Sequence, residues 1–351
     1  MRAAVFRSYG EDLVVEDRPV PACPPDGVVV RVRATGVCRS DWHAWQGHDP
    51  VPLPHIPGHE FAGVVARVGE QVGRWAVGDR VTVPFVIGCG RCEVCLSGDP
   101  QVCPGQSQPG FTYDGSFAEY VAVPAAEFNL VRLPDALSFA AAAALGCRFA
   151  TAFRAIVAHG RVRRDEWVAV LGCGGVGLSA VTIASALGAQ VIAVDVSDAA
   201  LDRARSMGAR HTLLTDSDMD PESVAKAVHK LTGEGAHLTV DAYGSASNVM
   251  ACLRSLRRRG RHVQIGLLLG ADAACAVPMD RILAWEIELH GSHGIAAADY
   301  PDLFRLLDER DIDLARLIGR TIPLDQAGAA LRGMSSGSEP GITVISMPDA
   351  P

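Results

Sequence analysis

A thiol, an imidazole and a carboxylate stand close together in one part of the chain, at Cys38, His59 and Glu60. Cysteine, histidine and carboxylate side chains are ligand types that suit zinc. A hydroxyl and a second imidazole, Ser40 and His43, follow the cysteine by two and five residues. Such groups can relay a proton during catalysis. Because a catalytic zinc keeps one position open beside three protein ligands, we predict a catalytic zinc site here, completed by a ligand from elsewhere.

We nominate Cys147 as that remaining ligand. It lies in an alanine-rich segment with helical spacing, residues 137–159, which is interrupted at Gly146 and Cys147. A lone cysteine in such a segment is either a ligand or a small core residue. Spacing alone leaves both interpretations open.

Four further cysteines form a separate pattern, C-x2-C-x2-C-x7-C, within residues 88–104. They are Cys89, Cys92, Cys95 and Cys103. Gaps of two residues let backbone amides fold toward the sulfur atoms, and four thiolates close a tetrahedral zinc site. A closed site has no position for a substrate, so the pattern predicts a structural zinc that holds a lobe without a core. The alternative is four unrelated buried cysteines.

A glycine-rich turn follows a predicted buried strand at 166–171 and opens a helix. The turn contains Gly172, Gly174, Gly175, Val176 and Gly177, and the next strand, 191–194, ends in Asp195. This arrangement is typical of dinucleotide binding, since the glycines allow close approach of pyrophosphate and the helix N-terminus favours its charge. Asp195 would accept hydrogen bonds from the adenosine ribose and repel a 2′-phosphate, which favours NAD over NADP. The alternative is an ordinary strand–helix turn without a cofactor.

The elements around these motifs follow two patterns. Up to about residue 130, short alternating runs with proline and glycine turns predict an antiparallel, barrel-like β unit. From about residue 165, six strands alternate with helices and predict a doubly wound parallel sheet. The predicted elements are helices over 198–207, up to Arg257 and over 300–310, and strands over 211–214, 238–241, 262–266, 288–292 and 342–345. Ile265, Gly266 and His293, near the ends of two of these strands, are further candidates for nucleotide contact.

Composition limits the class of protein. A chain of 351 residues, 48% hydrophobic and 21% charged, favours two globular domains. The net charge of -8 argues against a nucleic-acid partner, and we expect the basic triplet 257–259 to lie at a helix end in water. Residues 170–194 are uncharged, but their glycines argue against a membrane span. Ten cysteines without an N-terminal signal pattern indicate metal ligands in a cytoplasmic protein.

Taken together, these motifs resemble the zinc-dependent medium-chain alcohol dehydrogenase family. The resemblance covers nearly the whole chain, and the motifs occur in the family's order: Cys38-x-Ser40-Asp41-x-His43, Gly58-His59-Glu60-x-x-Gly63 with Gly69 and Val72 beyond it, the four-cysteine lobe, Leu145-Gly146-Cys147 and the dinucleotide turn. The resemblance implies an α/β fold with two domains. A GroES-like, β-rich catalytic domain, 1–148 and 290–351, would be interrupted by a Rossmann NAD-binding domain at 149–289.

The resemblance also implies roles for single residues. Cys38, His59 and Cys147 correspond to the catalytic zinc ligands, with a water or substrate oxygen in the fourth position. Glu60 is similar to a glutamate that can approach the metal during ligand exchange. Asp41 resembles the carboxylate that orients the imidazole of His59. Two zinc ions per chain, one catalytic and one structural, are therefore expected.

The family often has a basic residue beside the adenosine ribose, about five positions after the ribose-binding acid. Here that position is Ala200, which leaves the choice of NAD to Asp195 alone. Trp45 and Phe85, near the metal ligands in sequence, are candidate pocket walls or simply core residues. Family analogy implies a homodimer or homotetramer.

The expected reaction is reversible hydride transfer between an alcohol and NAD, giving an aldehyde or ketone. The substrate proton would leave through the Ser40 hydroxyl, the nicotinamide ribose and His43. One alternative keeps the fold and takes a polyol or amino alcohol as substrate. Another is a zinc-stabilised protein that binds a nucleotide without turnover.

Overall fold

The computed structural model of the protein describes residues 1–216, 220–336 and 341–348. In chain order the strands are β1 (Arg2–Val5), β2 (Val14–Asp17), β3 (Val28–Val37), β4 (Glu60–Val68), β5 (Arg80–Thr82), β6 (Tyr120–Val123), β7 (Val131–Arg132), β8 (Trp167–Leu171), β9 (Gln190–Asp195), β10 (His211–Leu214), β11 (Ala236–Asp241), β12 (Leu256–Gln264), β13 (Glu288–Gly291), β14 (Ile318–Ile322) and β15 (Ile342–Ser346). The α-helices are α1 (Arg39–Gln46), α2 (Glu93–Leu96), α3 (Ala126–Asn129), α4 (Phe139–Ala143), α5 (Ala150–Phe153), α6 (Gly175–Ala186), α7 (Asp198–Ser206), α8 (Pro221–Thr232), α9 (Ala246–Ser255), α10 (Met279–Trp285), α11 (Tyr300–Glu309) and α12 (Ala327–Gly333).

The chain divides into two compact units. The first comprises Met1–Ala150, Gly294–Arg305 and Asp313–Pro351, and the second Thr151–His293 and Leu306–Ile312. The chain therefore leaves the first unit, builds most of the second, and then returns.

The first unit is built on a seven-stranded sheet of mainly antiparallel pairs. Its order is β14-β15-β3-β4-β5-β7, and β6 pairs with β3 off this path. Strand β3 is buried along most of its length and pairs with β4, β6 and β15. The aromatic side chains of Phe6, Phe61 and Phe117 are fully buried in the core. The predicted β-rich unit is confirmed.

The second unit is a six-stranded sheet with the order β10-β9-β8-β11-β12-β13. Every neighbouring pair is parallel, so the connections run through helices. The central strands β8, β9 and β11 are buried runs of aliphatic residues, as expected for strands covered on both faces. This strand order is that of the doubly wound dinucleotide-binding fold, as predicted.

The predicted helix at 137–159 is divided into several turns. Helix α4 ends at Ala143, and π-helical turns follow at Leu145–Phe149 and Arg154–His159, on either side of α5. The interruption expected at Gly146 and Cys147 is thus the first of these π-helical turns. Such turns occur often at functional sites.

The placement of the arginine triplet at a helix end was wrong. Helix α9 ends at Ser255, and the triplet 257–259 lies in β12. In the pairing of β11 with β12, Ala236 lies opposite Leu256 but Leu238 lies opposite Arg261. The triplet therefore lies in a stretch of β12 where the pairing is irregular. The guanidinium of Arg258 stacks 4.8 Å from the ring centroid of Trp285. Across the described ranges, none of the helices is long and apolar enough to cross a membrane.

Candidate functional site

Strand pairing brings two of the predicted ligands together. Cys38 is the N-cap of α1, directly after β3 ends, and His59 directly precedes β4. Because β3 and β4 are antiparallel with Gly36 opposite Glu60, Cys38 and His59 lie at the same end of the pair. Cys147 joins them from the π-helical turn after α4. The ligand atoms of these three residues all lie within 4.8 Å of one another.

The donor set fits a zinc ion with three protein ligands. Zinc binds sulfur at about 2.3 Å and nitrogen at about 2.0–2.1 Å, which needs ligand atoms spaced as these are. Nδ1 of His59 lies 2.8 Å from Oδ1 of Asp41, while its buried Nε2 has no hydrogen-bond partner among the described residues. Asp41 therefore fixes the tautomer in which Nδ1 carries hydrogen and Nε2 offers a lone pair.

Asp41 is itself fixed by the backbone. The N–H of Cys38 donates to its Oδ2 over 2.8 Å, and the N–H of Gly58 donates to its Oδ1 over 3.1 Å. The first contact also caps α1. One fully buried carboxylate thus joins the start of the helix to the segment that carries His59.

The charges of the cluster favour a metal-binding state. A hydrogen bond from the Cys147 thiol, and then the positive charge of Arg148, lower the pKa of Cys38 well below its ordinary value despite burial. Burial disfavours protonation of His59, but the Asp41 carboxylate outweighs it and raises the pKa of His59. Without a metal ion, protons on His59 and Cys147 balance the negative charge of the cluster, because the pKa values of both residues are raised. A metal replaces those protons when it binds.

Glu60 is held by the turn that carries Cys147. Its Oε1 accepts from the backbone N–H of Cys147 over 3.1 Å and from that of Arg148 over 2.8 Å. Its Oε2 forms an ion pair with the Arg148 guanidinium, which also donates to the carbonyl oxygen of Val37 over 3.0 Å. Burial raises the pKa of Glu60, and Arg148 opposes that shift. A Cβ on Gly36 would lie 2.6 Å from both charged groups, so glycine makes room for the pair.

The two proposed relay groups lie on α1. The Ser40 hydroxyl is 3.9 Å from the sulfur of Cys38, within reach of a ligand bound at the cluster. Nδ1 of the half-buried His43 lies 3.2 Å from Nδ1 of the exposed His48. Sequence reasoning missed His48, although it follows soon after His43.

The candidate pocket walls differ in position. Trp45 is buried in the hydrophobic core, and its Nε1 donates to the carbonyl oxygen of Glu11 over 2.6 Å. Phe85 lies against the metal cluster, with its ring centroid 6.0 Å from that of His59. Phe111 contacts the same imidazole at 5.2 Å. The interpretation of Trp45 as a core residue thus fits the structure, and Phe85 and Phe111 flank His59.

The four-cysteine lobe has the geometry of a closed zinc site. The sulfur atoms of Cys89 and Cys95 are 3.9 Å apart and those of Cys92 and Cys103 3.7 Å apart. These distances match the edge of a tetrahedron with zinc–sulfur bonds of about 2.3 Å, and they exceed a disulfide bond of about 2.05 Å. Backbone N–H groups lower the pKa of Cys89 to about 6. As the two-residue spacing predicts, the N–H of Cys95 also points at the sulfur of Cys92, 3.5 Å away.

Helix α3 anchors the base of this lobe. The side-chain amide of Asn129 accepts from the N–H of Gly88 and donates to its carbonyl oxygen, both over 2.9 Å. Phe128 packs so closely that a Cβ on Gly90 would lie 3.1 Å from it. Asn129 was not predicted, because its partner lies far away in sequence.

The dinucleotide turn has the geometry that its glycines predict. Gly172 has a φ of 91°, and a Cβ on Gly177 would lie 1.7 Å from the carbonyl oxygen of Gly172. A Cβ on Gly174 would meet nothing within 4 Å. Helix α6 starts at Gly175 and Val176, and no side chain caps its N-terminus. Its first N–H groups are thus available to an anion.

Asp195 joins the end of β9 to this turn. Its Oδ2 accepts from the N–H of Cys173 over 2.6 Å and its Oδ1 from that of Ser197 over 2.9 Å. A carboxylate has about four acceptor sites, which leaves capacity for ribose hydroxyls. Ala200 lies in the first turn of α7 and is buried.

The loops after β11 and β12 lie at the same edge of the sheet and hold each other. The N–H groups of Ile265 and Gly266 donate to the carbonyl oxygen of Asp241 over 3.1 and 2.9 Å. The side chain of Gln264 donates to Oδ2 of Asp241 over 2.9 Å. A Cβ on Gly266 would lie 2.2 Å from the backbone nitrogen of Gly244. Asp241 and Gln264 thus position the predicted contact residues, a role that sequence reasoning missed.

His293 lies two residues beyond the end of β13 and is exposed. The preceding Ser292 is buried, and its hydroxyl donates to the carbonyl oxygen of Thr151 over 3.4 Å. This segment therefore leaves the carboxyl end of the sheet, where nucleotides bind in doubly wound folds.

Known proteins share this fold and these sequence segments. Residues 24–135 match the family model of the alcohol dehydrogenase GroES-like domain, and residues 175–309 that of the zinc-binding dehydrogenases. An alcohol dehydrogenase of Geobacillus stearothermophilus is 39% identical over 272 residues, 76% of this chain and 78% of that protein. A sorbitol dehydrogenase of Halalkalibacterium halodurans is 30% identical over 345 residues, 96% of this chain and 97% of that protein. The solved structure of alcohol dehydrogenase TADH from Thermus sp. ATN1 superposes with a TM-score of 0.89 at 28% identity, covering 99% of both chains.

The fold and the donor sets define a zinc-binding dehydrogenase with a Rossmann-type unit. The chain belongs to the zinc-dependent alcohol dehydrogenase family and is an oxidoreductase of that type. The predicted family is confirmed.

Proposed function

We propose that this protein oxidises an alcohol to an aldehyde or ketone with NAD, reversibly, and holds two zinc ions per chain. The observation that carries the proposal is the cluster of Cys38, His59 and Cys147, in which the buried Nε2 of His59 has no hydrogen-bond partner within the described part of the chain. Three ligands rather than four suit a catalytic metal, which keeps a position for substrate. The closed cluster of four cysteines suits a structural ion.

When bound, zinc supplies a Lewis acid for the substrate oxygen, and NAD accepts the hydride. Asp41 holds the His59 imidazole in the tautomer that can coordinate. Glu60 fixes the backbone on either side of the Cys147 side chain through two N–H groups, and its approach to the metal during ligand exchange stays a prediction. The Ser40 hydroxyl would take the proton that the substrate hydroxyl loses and release its own hydrogen onward.

With NAD bound, its nicotinamide ribose would connect Ser40 to His43, as the family resemblance implies. His43 suits this role because it is half-buried and its Nδ1 lies at hydrogen-bond distance from another imidazole. A neutral imidazole can take a proton at one nitrogen and release one from the other.

The reaction is tested by following reduction of NAD, and then of NADP, with primary, secondary, aromatic and polyhydroxy alcohols. We expect turnover with NAD that a zinc chelator abolishes. Two zinc ions per chain and no turnover on any alcohol would instead favour a nucleotide-binding protein without catalysis.

A polyol dehydrogenase is the second candidate. It is supported by the similarity of nearly the whole chain to a sorbitol dehydrogenase. The polyhydroxy alcohols in the panel separate the two, because a site that hydrogen-bonds several substrate hydroxyls should prefer sorbitol over simple alcohols by at least about tenfold in kcat/KM. Amino alcohols belong in the same panel.

We propose Rossmann-type binding of NAD with Asp195 on the adenosine ribose and His293, Ile265 and Gly266 near the nicotinamide half. Substitution of Asp195 by alanine or asparagine should lower kcat/KM for NAD by about 10- to 100-fold, since hydrogen bonds to a charged group contribute about 1.5–3 kcal/mol. The same variants should lose less with NADP, because the charge that repels its 2′-phosphate is gone. Steady-state kinetics with both cofactors measure this ratio. An unchanged NAD/NADP preference in both variants would exclude Asp195 as the selecting residue.

We propose a homodimer or homotetramer. Strand β13 is an edge of its sheet, where Leu289 is 48% exposed, and the neighbouring α10 exposes Met279 by 60% and Leu283 by 81%. Exposed apolar side chains beside a sheet edge are typical of an interface.

We expect the substitution Leu283→Glu to lower the mass of the assembly in light scattering, because it places a charge on that surface. Val77→Glu, at an apolar side chain that is 69% exposed elsewhere, is the matched control and should leave the mass unchanged. A native protein that is monomeric, or a Leu283 variant with the native mass, would contradict this surface.

We also propose the cytoplasm as the compartment. All ten cysteines are free thiols in the structure, and seven of them form the two clusters that suit zinc. Thiolate metal sites persist where the environment is reducing. Fractionation of cells that produce the protein would test this proposal. Recovery of the protein with the secreted proteins would contradict it.

A further inference from the structure

The turn that ends α1 folds a second histidine back onto His43. Gly47 has a φ of 76°, and a Cβ there would lie 3.0 Å from the ring of Tyr9, so glycine is required. The N–H of His48 then donates to the carbonyl oxygen of His43 over 2.9 Å. The backbone therefore sets the distance between the two imidazoles.

The two rings meet through their nitrogen atoms. Nδ1 of His43 lies 3.2 Å from Nδ1 of His48, so one nitrogen carries a hydrogen and the other accepts it. Trp42 packs edge-on against both rings, with centroid distances of 5.0 and 5.3 Å. His43 is half-buried and His48 is exposed. The pair thus leads from the interior of the protein to solvent.

We propose that His48 carries the substrate proton from His43 to water during alcohol oxidation, a role that rests on the proposed function. A proton arrives at Nε2 of His43, and the hydrogen on its Nδ1 passes to Nδ1 of His48. The hydrogen on Nε2 of His48 then passes to water. Each ring gains and loses one proton, and exchange with water restores the starting tautomers. His48 acts through His43 and does not contact the substrate.

The charges around His43 favour this outward transfer. Burial, then repulsion from His48 whenever that ring is protonated, and then the charge of Arg39 lower the pKa of His43 to about 4, and only the Cys38 thiolate opposes them. A proton is therefore unstable on His43 and is passed on. The exposed ring of His48 is in contact with the solvent that finally accepts it.

Two substitutions separate proton transfer from packing. His48→Ala removes the ring, whereas His48→Asn keeps a polar group that can hydrogen-bond Nδ1 of His43 but cannot carry a proton. Asp49→Asn, at the exposed neighbouring residue, is the control for a change on the same turn. The measurement is the first burst of NADH on mixing enzyme, NAD and alcohol, because product release often limits kcat.

We expect both His48 variants to slow the burst about tenfold at neutral pH, with KM unchanged, less than the roughly 100-fold that direct general-base catalysis contributes. Added imidazole should restore the rate, and the loss should shrink at alkaline pH, where hydroxide accepts the proton. Asp49→Asn should behave like the native protein. A His48→Asn variant with native rate and pH profile, or a loss that imidazole does not rescue, would overturn the proposal.

A second measurement does not depend on turnover. In protein labelled with 15N-histidine, one ring of the pair should show the tautomer with hydrogen on Nδ1, and this signal should change in His48→Ala. If both rings carried hydrogen only on Nε2, the proposed hydrogen bond between the two Nδ1 atoms would be overturned. Native protein without turnover on any alcohol would overturn the proposed function together with the transfer, whereas native turnover with unchanged variants would overturn the transfer alone.

Discussion

The substitution Cys38→Ser should abolish alcohol oxidation and leave the fold intact. Serine is a good helix N-cap and keeps the start of α1, but it is a poor replacement for a thiolate zinc ligand. Loss of a Lewis acid that stabilises the transition state by several kcal/mol slows the reaction by about 10³-fold or more. The zinc content should fall from two ions per chain to one, since the four-cysteine lobe is untouched.

Turnover, metal content and the unfolding temperature of this variant are the three measurements. Cys23→Ser is the matched control, because Cys23 is half-buried and belongs to neither cysteine cluster. It should keep two zinc ions and the native rate. A Cys38→Ser protein with normal rates would show that the reaction uses another site.

The motifs that were predictable from sequence are those whose geometry is local. The dinucleotide turn follows from its glycine spacing together with the strand before it, the helix after it and Asp195 at the end of the next strand. A Cβ on Gly177 would overlap the carbonyl oxygen of Gly172. The four cysteines are also close in sequence, so their spacing fixes which side chains can meet. The parallel direction of the six strands follows from the alternation of helices and strands along the chain.

Residues whose partners are far away in sequence were not predictable. Arg148 is a buried charge that Glu60, 88 residues earlier, stabilises. In the sequence, only the glycine at position 36, near the end of β3, indicates that space is needed there. Spacing alone could not distinguish Cys147 from a core residue. The family resemblance assigned it as a ligand, and the strands and the π-helical turn place it beside Cys38. His48 needed the αL turn at Gly47, whose hydrogen bonds only the structure shows.

The substitution Cys103→Ala should destabilise the protein while sparing the catalytic cluster. Zinc bound to peptides by four such ligands contributes about 10–16 kcal/mol of apparent folding free energy. The cysteines of the lobe at 88–104 and Asn129 of α3 help to hold the lobe. With three thiolates left, the ion binds weakly and the lobe opens. We expect a loss of at least about 4 kcal/mol of stability and an unfolding temperature lower by about 10 °C.

Limited proteolysis locates this effect. Arg91 is exposed inside the lobe, but a protease needs an extended chain, so trypsin should cut after Arg91 rapidly in Cys103→Ala and slowly in the native protein. When the native protein has first been treated with a chelator, added zinc should slow cleavage after Arg91. Added zinc should not slow this cleavage in Cys103→Ala. Below its unfolding temperature, the Cys103→Ala variant should keep the catalytic zinc and measurable turnover. Cys38→Ser, in contrast, should keep the structural zinc and lose turnover. If Cys103→Ala and the native protein were equally stable and equally cleaved, the four cysteines would not hold a structural ion. A closed thiolate site has no open position for a substrate, so its geometry supports no role except in folding.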